Sequence, residues 1–400
     1  MISVEEAYRI VLENVSTLPP IRVHIKEASG SCLAEDIVSD IDMPPFDKSA
    51  MDGYAVIAED ALSMPVELEV VESIAAGFLP QKGISRGQSA KIMTGAAIPT
   101  GADAVIKVED TESLEDGRVR LLRPVRKGEN ICIKGEDFQA GQVVLKKGTA
   151  LRPQEIGVLA MVGIEKVTVF SRPRVGIIAT GDELVEIGRK PAPGQIRDSN
   201  SYCLAAQVKE LRAEVEFLGT ARDKKREIIP LVKKGFKKDI LLITGGVSMG
   251  EYDLVVDVLK VLSINTFFEK VSLRPGKPVV FGKKYKTVVF ALPGNPVSTY
   301  VTFELFVWPA IRKMMGFGSL SRPTVKAEME GEISRKRRRR EYRPACLRIE
   351  DGRFRVCPVE WHGSADLLGT TKANSLLIVP EETEKLSPGM EVEVMITGEL

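Results

Sequence analysis

Four short segments at the ends of strand-like runs carry glycine, proline, a carboxylate or an amide: Gly181-Asp182-Glu183, Arg222-Asp223, Gly245-Gly246-Val247-Ser248-Met249-Gly250-Glu251 and Pro293-Gly294-Asn295-Pro296. Paired glycines let backbone N–H groups converge on an oxyanion with no Cβ in the way. A helix that follows adds its positive N-terminal end. Gly245, Gly246 and Ser248 therefore read as a phosphate or pyrophosphate cradle. It is not a Walker A loop, because no Gly-Lys-Ser/Thr follows. Carboxylates at such tips offer hard oxygen donors, suited to a divalent cation or to activating water. Each loop also has a bland reading. A Gly-Gly after a strand is often only a turn, and a tip carboxylate is often a helix cap. Four such tips in one stretch of chain shift the weight to a site, provided the fold gathers them.

Residues 173–318 supply the elements that would do so. "RVGIIAT", "AEVEFLGT", "DILLITGG" and "TVVFALPGNP" read as strands, and helices are predicted at about 199–212, 224–237, after "VSMGEYD", and from Val297 to Met315. Repeated strand–loop–helix units imply a doubly wound α/β sheet with parallel strands, whose ligands sit beyond the strand carboxyl ends where the order reverses. In the same stretch Lys270, Arg274 and Lys277 flank Pro275-Gly276. The Pro-Gly turn predicts a hairpin, and the even spacing of Lys270 and Arg274 predicts one shared strand face for an anionic group. Ordinary surface charge is the alternative.

Ser3 and Glu6 form a capping box ahead of an amphipathic helix over 3–16. Residues 43–140 are short β runs with Gly/Pro turns, an inserted β-rich lobe. Within it "MPPFDKSAMDGYAV" carries Asp47, Lys48, Ser49 and Asp52 on a loop hinged by Pro44-Pro45, and Thr94 and Gly95 form a second tip. Residues 320–400 read as a small C-terminal β domain. The division expected is 1–42 with 141–172, then 43–140, 173–318 and 319–400.

Composition excludes several classes. Lys and Arg total 56 against 55 Asp and Glu, which gives no broad basic surface for nucleic acid or an anionic membrane. Two histidines, His24 and His362, leave little for Ser-His-Asp or H-E-x-x-H chemistry. Five cysteines without a C-x-x-C pair argue against a disulfide framework or zinc ribbon and predict a reducing, cytoplasmic setting. No apolar stretch is long enough for a bilayer and no signal peptide is read at the N-terminus. The basic run Lys336–Arg340 is expected to be a solvated hairpin, since no aromatic platform accompanies it.

Taken together, "PPFDKSAMDGYAV", "MTGAAIPTGADAVI", "GEDF", "IIATGDELVE", "GQIRDSNSY", "LLITGGVSMGEYD", "RPGKPVVFG" and "LPGNPVS" stand here in an order that resembles the MoeA family, which includes the gephyrin E domain. The resemblance spans essentially residues 1–400. It implies a MogA/MoaB-like α/β domain in an elongated homodimer, with the cleft between that domain of one subunit and the β-rich lobe of the other. It implies insertion of molybdate into adenylyl-molybdopterin with release of AMP, Mg2+ as cofactor, and a MogA/MoaB-like adenylyltransferase as partner. Residue by residue it implies catalytic roles for Asp52, Thr94, Asp137, Glu183, Asp223 and Asp253, with Glu183, Asp223 and Asp253 as magnesium ligands. Gly245, Gly246, Ser248, Lys270, Arg274, Lys277, Pro293, Asn295 and Pro296 would bind substrate. Arg274 stands where many members carry lysine, a planar fork in place of a point charge. The pterin supplies its own sulfur ligands, which fits the scattered cysteines.

Three alternatives follow from the same residues: tungstate in place of molybdate, a non-catalytic scaffold as in gephyrin, or adenylation of the pterin. Retention of Asp52, Glu183, Asp223 and Asp253 favours catalysis over a scaffold.

Overall fold

The computed structural model describes residues 1–246, 254–336 and 339–400. The chain divides into two units, Met1–Ala34 with Gly148–Arg152 and Lys166–Leu400, and Glu35–Lys147 with Pro153–Glu165.

The first unit is built on a six-stranded sheet in the order Glu214–Ala221, Arg174–Thr180, Ile240–Thr244, Thr287–Leu292, Pro278–Lys284, Asn265–Lys270. The first four strands run parallel. After Arg174–Thr180 the chain adds Glu214–Ala221 on one side, then crosses to add Ile240–Thr244 on the other, so the strand order reverses at Arg174–Thr180. The last two strands are antiparallel. That edge departs from an all-parallel sheet for a local reason. Pro278–Lys284 and Thr287–Leu292 are joined only by Tyr285 and Lys286, with Tyr285 at φ 55°, and so short a link permits only an antiparallel hairpin.

The apolar runs are long because both faces are covered. In Ile240–Thr244 every residue is buried, and successive side chains enter opposite cores. Ile240 and Leu242 join Val175, Phe281, Phe290, Phe306 and Ile311 under the helices Val4–Asn14, Asn200–Glu210 and Pro296–Met314. Leu241 and Ile243 join Ile228, Val232, Val255 and Leu259 under Lys225–Gly235 and Leu254–Val261. Each fully buried phenylalanine among them contributes roughly 1.5–3 kcal/mol. The N-terminal helix begins as its capping box requires, with Ser3 Oγ accepting from the Glu6 amide at 3.0 Å. The helix expected from Val297 to Met315 carries a feature its pattern does not announce, a π turn over Phe303–Val307.

The C-terminal strands Thr324–Met329, Arg340–Glu350, Arg353–Pro358, Ser375–Val379 and Glu391–Ile396 close on themselves, because Arg340–Glu350 pairs with both Arg353–Pro358 and Ser375–Val379. Ala345, Leu347, Val356, Leu377 and Val394 fill the barrel. The solvated hairpin expected at Lys336–Arg340 is corrected at the end of that run. Arg337 and Arg338 lie outside the described residues. Arg340 opens the eleven-residue strand and pairs with Glu5, and Arg339 Nη1 donates to the Leu273 carbonyl at 2.7 Å.

The second unit centres on a six-stranded sheet, Ala104–Lys107, Gly53–Val56, Gln88–Ile92, Val66–Ile74, Arg118–Leu121, Thr111–Ser113. Tyr54 and Val56 enter one core with Leu68, Ile106 and Leu121, while Ala55 enters another with Ile74, Ala90 and Ile92. Gly53 is required between its neighbours, since a Cβ there would lie 1.9 Å from the Ile106 carbonyl oxygen.

Candidate active site

Strand register gathers the tips of the first unit. Ala179 pairs with Thr244, Thr244 with Leu292, and Thr180 with Ala221. Gly181, Gly245, Pro293 and Arg222 therefore emerge side by side at the carboxyl end of the sheet, across the point where strand order reverses. Backbone bonds stitch the tips together: the Gly245 N–H donates to Leu292 O at 3.3 Å and the Gly181 N–H to Ala221 O at 3.2 Å. Two of the glycines at this end, Gly245 and Gly246, are obligatory. Gly245 holds φ +91° with an added Cβ placed 2.2 Å from Thr180 O, and Gly246 holds φ +65° with one placed 2.6 Å from Val255 Cγ2.

Asn200, at the start of helix Asn200–Glu210, ties two of these tips. Its Nδ2 donates to Thr244 Oγ1 at 2.9 Å and to Gly294 O at 2.8 Å. Asp198 caps that helix, accepting from the Ser201 amide at 3.0 Å. Among the described residues, Thr180 Oγ1 and Asn200 Oδ1 are buried here without a hydrogen-bond partner. On the far tip Pro296 opens the next helix, and Asn295 Nδ2 donates to Ser364 Oγ at 2.8 Å.

Three carboxylates border the same end. Glu183 folds back over Gly181, so that a Cβ on that glycine would stand 2.6 Å from Glu183 Oε2. The Asp223 amide donates to Asp182 Oδ1 at 3.3 Å. Partial burial, then the negative charges of Asp182 and Glu183, push the Asp223 carboxyl above its ordinary range. Asp253 and Ser248, both expected at this site, lie outside the described residues. Among the described residues no group of three or more His, Cys, Asp or Glu side chains forms a set of metal ligands.

The basic segment departs from its expected geometry. Lys270 ends the strand Asn265–Lys270, whereas Arg274 belongs to the two-residue strand Leu273–Arg274, which pairs in parallel with Arg340 and Glu341 of the barrel. The two cations do not share one strand face. Between them the chain is pinched by bonds from Val271 N to Lys277 O at 3.0 Å and from Leu273 N to Val271 O at 2.8 Å. The even spacing alone did not register that turn. Arg274 Nη1 faces the buried Glu341 carboxylate at 3.5 Å.

In the second unit Asp52 and Thr94 meet. One oxygen of Asp52, Oδ1, accepts from the Thr94 amide at 2.7 Å and from Thr94 Oγ1 at 2.8 Å. Those donors, the amide first, hold the Asp52 carboxyl below its ordinary range. Ser49 joins their loop to the next, its amide donating to Ala96 O at 2.9 Å and its carbonyl accepting from Gly95 N at 2.8 Å. Asp137 lies on the loop that returns past the cis Met43–Pro44 bond, its amide donating to Met43 O at 2.9 Å. Asp47 fixes the same loop by accepting from the Lys134 amide at 2.7 Å.

Residues 2–163 match the model of the MoeA N-terminal region (domain I and II), 176–313 that of the "probable molybdopterin binding domain", and 326–397 that of the MoeA C-terminal region (domain IV). A molybdopterin molybdenumtransferase of Staphylococcus aureus (strain MRSA252) is 34% identical over 401 residues, covering 99% of this chain and 96% of that protein. The chain belongs to the MoeA family. A relative of the same name from Staphylococcus epidermidis (strain ATCC 12228 / FDA PCI 1200) is 33% identical with the same coverage. The solved structure of the molybdopterin biosynthesis moeA protein from Pyrococcus horikoshii OT3 is 35% identical, with a TM-score of 0.86 over 99% of this chain and 100% of that one.

Within this MoeA chain, the described tips Gly181–Glu183, Arg222–Asp223, Gly245–Gly246 and Pro293–Pro296 lie together, and Asp52 lies with Thr94. Sequence reasoning did not single out Asn200, Ser364 or Glu341. Asn200 stands in "RDSN" at the start of the helix predicted at about 199–212, a placement that marks only a helix end. Ser364 and Glu341 act across 69 and 67 positions of chain, a reach no local pattern carries.

Proposed function

We propose that this protein inserts molybdenum into molybdopterin as a step of molybdenum cofactor biosynthesis, a transferase reaction. The observation that carries this reading is the register that aligns four loop tips around Gly245 and Gly246, with the acidic Asp182, Glu183 and Asp223 at their border. Tungstate insertion and a scaffold role without catalysis are not favoured, because the relatives are named as molybdenum transferases.

In finer terms, the substrate is adenylyl-molybdopterin, and AMP leaves as molybdate enters. Gly245 and Gly246 present backbone to the phosphate, with Asn200 holding the Pro293–Pro296 loop beside it. Asp223, whose neighbours keep it readier to hold a proton than an ordinary aspartate, exchanges a proton with the attacking or departing oxygen. Asp52 stays ionised under the two Thr94 donors and orients substrate, and Asp137 stands on the adjoining loop. Lys270, Lys277 and Arg274 supply positive charge for the oxyanion or phosphate.

The carboxylates also fit Mg2+. The metal is commonly held by one or two carboxylates together with substrate phosphates, not by a full protein cage, and mutually repelling acids such as Asp223 and its neighbours gain from such a cation. Glu183 and Asp223, with Asp253, would hold it, and its charge would spread that developing on phosphorus. The working form is proposed to be a cytoplasmic homodimer fed by a MogA/MoaB-like adenylyltransferase.

The test is turnover by purified protein given adenylyl-molybdopterin and molybdate, followed by AMP release. Asp223→Ala is expected to suppress release while its circular dichroism spectrum is kept. Unchanged turnover would remove Asp223 from the mechanism, and no AMP release from the unmodified protein would end the assignment.

A further inference from the structure

The C-terminal barrel reaches two of the loops assigned to substrate. Its strand Arg340–Glu350 carries Glu341, whose side chain is 2% exposed and lies between two arginines. On one side is Arg335, 5% exposed, with Nη1 at 3.3 Å from Glu341 Oε2. Arg335 is itself fixed by bonds from Nε to Thr383 O at 3.0 Å, from Nη1 to Arg339 O at 2.9 Å, and from Nη2 to Pro380 O. On the other side is Arg274, 42% exposed, at 3.5 Å from the same Oε2. A buried carboxylate must be compensated, and here it is compensated by one locked guanidinium and one that opens to solvent. The backbone repeats the link, since Leu273 and Arg274 pair with Arg340 and Glu341, and Arg339 Nη1 bonds Leu273 O at 2.7 Å. Further along the barrel chain, Ser364 accepts the Asn295 side chain at 2.8 Å, and its carbonyl accepts the Val297 amide at 3.0 Å.

We propose that Glu341 and Ser364 are positioning residues. Glu341 aims the Arg274 fork at the anionic substrate, and Ser364 sets the Asn295 amide and its loop. The barrel then acts as a template for two substrate loops of the α/β domain. A long arginine held by a buried partner loses less rotamer freedom on binding, so the effect falls on substrate affinity. The inference rests on the reading that Arg274 and the Pro293–Pro296 loop take substrate.

The test measures kcat and KM for adenylyl-molybdopterin with full-length Arg274→Ala, Glu341→Gln, their double variant, Ser364→Ala and Ser364→Thr. Glu341→Gln is expected to raise KM by about 3- to 10-fold with kcat within about twofold, because it loosens binding and leaves chemistry alone. The double variant is expected to be no worse than Arg274→Ala, since coupled residues are non-additive. Ser364→Ala is expected to raise KM by about threefold, with Ser364→Thr restoring it. Full addition of the Glu341 and Arg274 effects overturns the Glu341 assignment, as the residue would then act through the fold. If Arg274→Ala leaves both constants unchanged, the substrate reading of Arg274 fails first and the Glu341 assignment falls with it. If Glu341→Gln does not fold, Ser364 decides, and an unaltered KM in Ser364→Ala overturns the proposal.

Discussion

The backbone amide of Asp223 donates to the carboxylate of Asp182 at 3.3 Å, which sets two acidic side chains at neighbouring strand ends of one sheet. Burial and the charges of Asp182 and Glu183 raise the Asp223 pKa. A carboxyl whose folded pKa lies above its unfolded value keeps its proton longer in the folded state. Its ionisation therefore costs stability, absent below the unfolded pKa and growing as pH rises through the folded one. Asp223→Asn should raise the unfolding temperature at neutral pH while reducing turnover by about 10²-fold or more. Thermal melts across pH 3–7 check it: the gap between variant and parent should widen with pH. Adding Mg2+ should stabilise the parent more than the variant.

Thr94 gives Asp52 two donors, and only one of them is a side chain. Thr94→Val removes the hydroxyl and keeps the amide. Losing a donor to the charged form moves the Asp52 pKa upward, so the acid limb of the rate–pH profile should shift to higher pH. Turnover at neutral pH should fall by about 10- to 100-fold, the scale of one hydrogen bond to a charged group. Thr94→Ser should restore both. An acid limb that does not move would separate this pair from catalysis.

Gly245→Ala forces a left-handed φ on alanine and drives its Cβ to 2.2 Å from Thr180 O. The strain should lower stability by about 1–3 kcal/mol, read as a shift in the urea midpoint. Gly188 offers the control, because a Cβ there meets nothing within 4 Å among the described residues. Gly188→Ala should stay within about 0.5 kcal/mol of the parent.

Glu304, in the π turn, is paired with Arg322 at 2.7 Å, with side chains 1% and 11% exposed. Gln207 donates to the other oxygen at 2.7 Å, and the guanidinium lies 3.4 Å from the Trp308 ring centre. Arg322→Met strands a buried carboxylate and should destabilise by about 3–5 kcal/mol. Chemical denaturation should find the double variant Arg322→Met/Glu304→Gln less damaged than the single one. Equal or greater damage in the double variant would mean that packing, not the stranded charge, accounts for the loss.

By itself the sequence determined the element types and the chemistry on offer. Apolar runs such as "RVGIIAT" and "DILLITGG" are long because their strands are buried on both faces, and Gly and carboxylate after each run marked the loop tips. It also determined that the chain is a MoeA, since eight ordered blocks carry that resemblance. Only the tertiary structure decided which tips touch, because strand register is a long-range property: Thr244 must pair with both Ala179 and Leu292 before Gly245 meets Pro293. It likewise separated Lys270 from Arg274, through a turn held by bonds that regular strand spacing does not encode. And it placed Glu341 beside Arg274 and Ser364 beside Asn295, contacts made when the barrel docks on loops far away along the chain.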